Sequence, residues 1–242
     1  MKKIHLFLAL FLLSVVQIGA QSNRNNSIPL IGVTAPSFTA ESTNGTINFP
    51  GDFGKSWKIL FSHPKDFTPV CSSELLELAY EQDDFNKLGA SLIVISTDDL
   101  EQHNSWKDQL EEINYKDRSP VKIKFPLVDD ISYKVSDLYG MIHSAVSIGE
   151  NIRGVFFIDP DNKVRAIYYY PNEVGRNIDE LKRTLVALQT TYNDRKVHTP
   201  ANWIPGEDVM VPVITSEQRK NVGQEGSPFY QYSWFMTYLK SQ

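Results

Sequence analysis

A single cysteine occurs in the 242 residues, and its neighbours determine what chemistry it can do. Cys71 lies in FSHPKDFTPVCSSE, residues 61–74, with Thr68 three residues and Pro69 two residues before it. Thr68-Pro69 reads as a helix start, because threonine can cap a helix and proline is tolerated at its first position. Cys71 is then the third helical residue. There, unpaired backbone N–H groups and the positive end of the helix dipole favour an anion. A free cysteine, with a pKa of about 8.5, is only roughly 3% thiolate at pH 7, so such a setting decides whether it acts as a nucleophile. Lys65 or a distant arginine could add to the pull. A thiolate beside a threonine hydroxyl can hold one oxygen of a peroxide while attacking the other, which converts the sulfur to a sulfenic acid. The plainer alternative is a small buried hydrophobe, as free cysteines often are.

The elements that must position this cysteine follow from hydrophobic spacing. Trp57 to Ser62 (WKILFS) and Ser91 to Ser96 (SLIVIS) read as buried strands. Between them Leu75, Leu78, Ala79, Phe85 and Leu88 repeat at helical spacing, and Gly89 stops the helix. Trp106, Leu110 and Ile113 mark a second helix, and Ile131, Val135, Leu138 and Tyr139 a third. Gly154 to Ile158 and Val164 to Tyr170 read as strands joined by the turn Asp159-Pro160-Asp161-Asn162, and Ile178, Leu181, Leu185 and Leu188 give a last core helix. Alternating strands and helices, then a hairpin and a helix, indicate an α/β layered domain with a mixed sheet. Beyond Arg195 the character changes. Pro200, Pro205, Pro212 and Pro228 punctuate a segment with few long periodic runs, whose end, SPFYQYSWFMTYLK, is rich in aromatic residues. Such an extension usually packs on its own domain or on a partner subunit.

Composition and charge narrow the function. The first 20 residues, with Lys2 and Lys3, an apolar run from Leu6 to Val16 and a Gly19-Ala20 end, read as a secretory signal peptide. The apolar run is short for a membrane span, so the protein is expected to be exported, periplasmic or secreted, with no stable membrane span. Loss of the leader would move the net charge from −5 to −7, which argues against nucleic acid as a partner. One cysteine excludes an intrachain disulfide framework and a Cys-x-x-Cys redox pair. No metal site is expected, because His63, His103, His143 and His198 lie far apart in sequence without paired spacing. No dinucleotide or phosphate loop is present either, so no cofactor is expected and the chemistry must sit on the sulfur.

Pro64-Lys-Asp-Phe-Thr68-Pro-Val-Cys71 fits the P-x-x-x-T-x-x-C pattern, and the chain resembles the peroxiredoxins. The wider FSHPKDFTPVC is similar to the one-cysteine, peroxiredoxin-6-like branch. The likeness runs from about residue 31 into the C-terminal segment, through PLVDD (126–130), RGVFFIDP (153–160), YYPNEVGRNIDE (169–180) and TPANWIPGEDVMV (199–211). It implies a thioredoxin-like fold with a central mixed sheet flanked by helices at 31–195, and a C-terminal peroxiredoxin domain or arm at 196–242. It also implies roles. Cys71 would be the peroxidatic cysteine, Thr68 would orient the peroxide and Pro64 would shield the thiolate. Arg153 would stabilise thiolate and leaving oxygen, Glu74 would orient Arg153, Arg176 would lie near the pocket, and His63 would lie near the cysteine for coupling to the external reductant. Without the resemblance, Arg153 reads as a surface charge at a strand start and His63 equally as a core histidine.

The resemblance implies a thiol-specific peroxidase acting on hydrogen peroxide and organic hydroperoxides, reduced by an external thiol, and a homodimer whose C-terminal arm reaches toward the partner's active site. The rival class is a non-catalytic, holdase-like binding protein on the same fold. Some relatives in this branch also carry a G-D-S-W-G serine motif for phospholipid hydrolysis. Here the stretch is Gly54-Lys55-Ser56-Trp57-Lys58, which lacks the second glycine, so lipid hydrolysis by Ser56 is not expected.

Overall fold

The computed structural model describes residues 28–241, so the leader read at residues 1–20 lies outside the described residues. A small hairpin comes first, β1 (Phe38–Ala40) with β2 (Ile47–Phe49). The main sheet takes β3 (Trp57–Ser62), β4 (Ala90–Ser96), β5 (Leu127–Asp129), β6 (Arg153–Ile158) and β7 (Val164–Tyr170) in the order β5-β4-β3-β6-β7. β3 is parallel to β4 and antiparallel to β6, and β7 is antiparallel to β6, so the sheet is mixed. β3 and β6 are buried along their whole length, which is why they read as continuous apolar runs rather than alternating ones.

Helices cover the face of the sheet that carries Ile59, Phe61, Val94, Val155 and Phe157. α1 (Pro69–Lys87) lays Cys71, Leu75, Leu78, Ala79 and Phe85 on it, a stripe at helical spacing, and Gly89 at φ +68° closes the helix. α2 (Leu100–Leu110) adds Trp106 and Leu110, and α4 (Ile178–Asn193) adds Leu181 and Leu185; α3 (Lys134–Leu138) is the short helix between them in sequence. Leu75 and Leu78 are fully buried, so truncating either to alanine costs about 2–5 kcal/mol. The opposite face packs Leu60, Ile93, Ile95 and Phe156 against Phe38, Phe49 and Tyr139. Gly154 leaves little room in β6: a Cβ there would meet Ser62 Oγ at 3.0 Å and the Tyr169 ring at 3.3 Å, so either neighbour would have to give way.

Some side chains depart from the sequence reading. Thr68 occupies the N-cap position of α1 but its side chain caps nothing; the hydroxyl donates instead to the Lys65 carbonyl at 2.9 Å. Ile113 lies beyond the end of α2 and is 40% exposed. Ile131 and Leu138 are exposed as well, because α3 is only five residues long and cannot present a two-turn apolar stripe. The segment after Arg195, read as largely aperiodic, holds a three-stranded sheet of β8 (Val209–Met210), β10 (Met236–Leu239) and β9 (Phe229–Ser233), with α5 (Ser216–Asn221) before β9. Tyr230 and Tyr238 stack across it at 5.2 Å, while Tyr232, Trp234 and Phe235 at the hairpin end are exposed. Among the described residues no helix is long and apolar enough to cross a membrane.

Candidate active site

Cys71 is fully buried in the first turn of α1, where the start Thr68-Pro69 places it. Its sulfur accepts a hydrogen bond from Arg153 Nη1 at 3.3 Å. Arg153 begins β6 and is 2% exposed, so it is a core cation and not the surface charge its sequence context indicated. The same Nη1 donates to Glu74 Oε2 at 2.7 Å, while Nε and Nη2 both donate to the Asn172 carbonyl, at 2.8 and 2.6 Å. One planar fork is thereby fixed at three points, with a donor left on the sulfur.

Glu74 lies one turn along α1 from Cys71 and joins both arginines. Arg176 donates to Glu74 Oε1 from its backbone N and from Nε, and to Oε2 from Nη2. Its remaining nitrogen reaches the carbonyls of Ser62 and Gly154, and its guanidinium carbon sits 3.3 Å from the centre of the Phe61 ring. Arg176 therefore touches the ends of β3 and β6 and holds Glu74, rather than meeting the sulfur. Burial alone would raise the Glu74 pKa, but the Arg176 hydrogen bonds and the charges of Arg176 and Arg153 outweigh it and hold the carboxyl below its ordinary range. Two guanidinium charges face one carboxylate here, so the group carries one surplus positive charge beside the sulfur. A negative charge on the sulfur would complete the balance.

The β3–α1 loop brings Pro64, which is buried, and Thr68, which is half-buried, to the start of the cysteine helix. Lys65 is exposed and takes no part in the contacts of the sulfur. His63 is fully buried, and its Nε2 meets Asp66 Oδ1 at 2.8 Å. Its ring packs 5.2 Å from that of Trp106, whose Nε1 donates to Ser72 Oγ, so His63 stands one ring away from the residue after Cys71. The histidines are not all far apart as their spacing indicated: His103 reaches the other oxygen of Asp66 at 2.7 Å. His63, Asp66 and Asp98 converge to within 4.8 Å, but both Asp66 oxygens are occupied by the two imidazoles. Sequence reasoning missed Asp66, His103, Trp106 and the Asn172 carbonyl; of these only Asp66, inside the P-x-x-x-T-x-x-C stretch, had a local signal. Ser56 donates its hydroxyl to the Phe53 carbonyl at the entry to β3.

A buried sulfur held by a guanidinium can attack the outer oxygen of a peroxide while the same donors receive the charge that leaves. Comparison with known proteins points the same way. The family model of the AhpC/TSA family matches residues 31–167, and that of the C-terminal domain of 1-Cys peroxiredoxin matches residues 187–225. A peroxiredoxin of Methanosarcina mazei is 44% identical over 216 residues, 88% of this chain and 98% of that protein. A 1-Cys peroxiredoxin of Dictyostelium discoideum is 39% identical over 199 residues, 82% of this chain and 80% of that one. Among solved structures, the yeast mitochondrial 1-Cys peroxiredoxin, described with a thiol resolving mechanism via glutathione/thioredoxin systems, superposes with a TM-score of 0.77 at 38% identity, covering 88% of this chain and all of that one. A cysteine-to-serine variant of peroxiredoxin 6 of Arenicola marina gives a TM-score of 0.75 at 31% identity, covering 88% and 98%.

Proposed function

The chain belongs to the peroxiredoxin family, as a thiol-dependent peroxidase of the one-cysteine type, and from that premise we propose that Cys71 reduces hydrogen peroxide and organic hydroperoxides with Arg153 as its electrostatic partner. The Cys71 thiolate attacks the outer peroxide oxygen, an S–O bond forms and the O–O bond breaks. Sulfur becomes a sulfenic acid, and the departing oxygen leaves as water or an alcohol once protonated. Thr68 orients the peroxide, Pro64 keeps water from the sulfur, and Glu74, gripped by Arg176, aims Arg153. The chain holds one cysteine, so an external thiol supplies the two reducing equivalents: its sulfur displaces the sulfenic oxygen as water, and a second thiol releases Cys71 with formation of a disulfide. A glutathione- or thioredoxin-type donor is the class we propose, on the example of the yeast relative.

The observation that carries this reading is the 3.3 Å bond from Arg153 to the sulfur at the start of α1. One equivalent of hydrogen peroxide should add one oxygen, about 16 Da, to Cys71, trapped as the sulfenic acid by dimedone. Peroxide turnover that survives Cys71→Ser would end the assignment and favour the holdase-like reading. Two further parts of the proposal rest on sequence and surface. Export is supported by the basic, apolar and small-residue pattern of residues 1–20, and a homodimer by the exposed Tyr232, Trp234 and Phe235. Detection of the full-length precursor alone after expression in the native host would contradict export. A monomer by light scattering would contradict the dimer.

A further inference from the structure

Beneath the loop that joins β3 to α1 lies a second buried ionic cluster that the peroxide chemistry above does not use. His63, Asp66 and His103 are each at most 2% exposed. Asp66 Oδ1 faces His63 Nε2 at 2.8 Å, and Oδ2 faces His103 Nδ1 at 2.7 Å. The second ring nitrogen of His103 lies 3.0 Å from the Val128 carbonyl on β5. A carbonyl oxygen only accepts, and so does an ionised carboxylate. Asp66 is ionised. Burial alone would raise its pKa, but the hydrogen bonds and charges of His103 and His63 bring it down to about 2. A neutral His103 would therefore press a bare nitrogen lone pair against an oxygen at one end or the other. Its two neighbours require the imidazolium. His63 differs: Asp66 takes its Nε2–H, and its buried Nδ1 has no partner among the described residues.

The loop depends on this cluster from both sides. The Asp66 backbone N–H donates to Asp98 Oδ2 at 2.8 Å, and that oxygen also accepts from Ser96 Oγ. The next residue, Phe67, holds a left-handed φ of +57°, which a non-glycine residue keeps only when its surroundings fix it. Thr68 and the cysteine helix follow directly.

We propose that His103 is a positioning residue for the peroxidase site: as a buried cation it anchors Asp66, and Asp66 anchors the 63–68 loop that carries Pro64 and Thr68 up to Cys71. The inference rests on the peroxidase reading. Loss of one proton from His103 to solvent puts a lone pair against Asp66 or Val128, breaks one of the two contacts and loosens the loop. Two carboxylates act on His103 and both oppose that loss, Asp66 from the β3–α1 loop and Asp98 from the β4–α2 loop, while the His63 ring stands 6.4 Å away. Against burial, which lowers its pKa, the bond and charge of Asp66, the Val128 carbonyl and the Asp98 charge raise it. The cation persists below that raised value and is lost as pH climbs through it, so peroxidase activity falls on the alkaline side.

Two measurements test this on the full chain. Nitrogen NMR with ¹⁵N-histidine should show one buried imidazole with hydrogen on both nitrogens at pH 7; a bare nitrogen on His103 overturns the proposal. The second-order rate with hydrogen peroxide should fall about tenfold per pH unit above the His103 ionisation, whereas His103→Gln should be slower at neutral pH and lack that limb. The same limb in His103→Gln overturns the proposal, because a merely structural role would change stability without changing the shape of the pH profile. If His103→Gln does not fold, the NMR titration of the native chain decides alone. It also decides if the native chain turns over no peroxide, an outcome that removes the peroxidase reading instead.

Discussion

Arg153→Lys keeps the charge at the sulfur and removes the fork. The native guanidinium spans Cys71 Sγ at 3.3 Å, Glu74 Oε2 at 2.7 Å and the Asn172 carbonyl at 2.6 and 2.8 Å. A lysine ammonium is a single point on a flexible stem and cannot occupy all three places. Leaving a buried acceptor without a donor costs about 1–3 kcal/mol, and more for a charged one, so the ammonium settles on Glu74 and abandons the sulfur. Removing one preorganised donor aimed at charge that develops in a transition state typically costs about 10²–10³ in rate, or about 2.7–4 kcal/mol. The peroxide rate constant should fall by that factor. Alkylation of Cys71 by iodoacetamide breaks no O–O bond and leaves no departing oxygen to stabilise, so it should change by less than about tenfold. Stopped-flow fluorescence suits the first measurement, because Trp106 donates to Ser72 Oγ beside the reacting sulfur. A peroxide rate within threefold of native would refute the reasoning. Equal losses in both reactions would show that Arg153 acts only on the ground-state sulfur.

Other perturbations separate the parts of the site. Glu74→Gln leaves two buried guanidinium groups without a carboxylate and should lower unfolding free energy by about 3–5 kcal/mol in urea titrations; a loss below 1 kcal/mol would mean the arginines find other partners. Thr68→Val should slow peroxide reduction by about 10-fold or more with little change in stability, since the hydroxyl makes no cap bond; a stability loss of about 1 kcal/mol with full activity would restore the capping role. The Asp66 carboxyl, lowered to about 2 from 3.8, contributes stability that is present above its ordinary value and lost as pH falls through the folded one. That contribution is on the order of 2 kcal/mol. Native protein and Asp66→Asn should therefore converge in urea midpoint between about pH 4 and pH 2, and a gap that stays constant across that window would rule out the linkage.

What the sequence made legible is what neighbouring residues determine. Cys71 at a helix start needed only the WKILFS strand, the Thr68-Pro69 boundary and a count of three residues, and the structure places the sulfur there. Its partners were not legible from spacing. Arg153 is 82 residues from Cys71, and Arg176 is 102 from Glu74; only the sheet order, which sets β6 beside β3, brings them together. Pattern reasoning put Arg153 on the surface because a charge beginning a strand usually lies there, and the family resemblance alone placed it in the pocket. His103 joins Asp66 through the β4–α2 crossover, which no residue spacing announces. The Thr68 hydroxyl went astray for a local reason: a threonine at a helix start can satisfy a helix N–H or a turn carbonyl, and here the Lys65 carbonyl wins. The C-terminal strands escaped because β9 and β10 are short, and their connecting Trp234-Phe235 carries no glycine, asparagine or proline to mark a turn.

The two ionic clusters flanking the 63–68 loop differ in balance, and the difference has chemical content. The His103 cation and the Asp66 carboxylate cancel, so that cluster can be static. Arg153, Arg176 and Glu74 leave one positive charge over, and a buried charge without a partner costs several kcal/mol. The thiolate relieves it. As the O–O bond breaks, sulfur passes its negative charge to the departing oxygen, which needs a donor at the moment the sulfur ceases to need one. The Arg153 fork therefore serves reactant and leaving group in turn without moving, because Glu74 and the Asn172 carbonyl hold its other donors. Once the oxygen has left as a neutral molecule, the sulfenic acid is neutral as well and the surplus charge returns. An incoming reductant is then drawn in as its thiolate, the form that attacks sulfur. The same imbalance that readies Cys71 for peroxide thus readies its oxidised form for an external thiol, which a chain with a single cysteine requires.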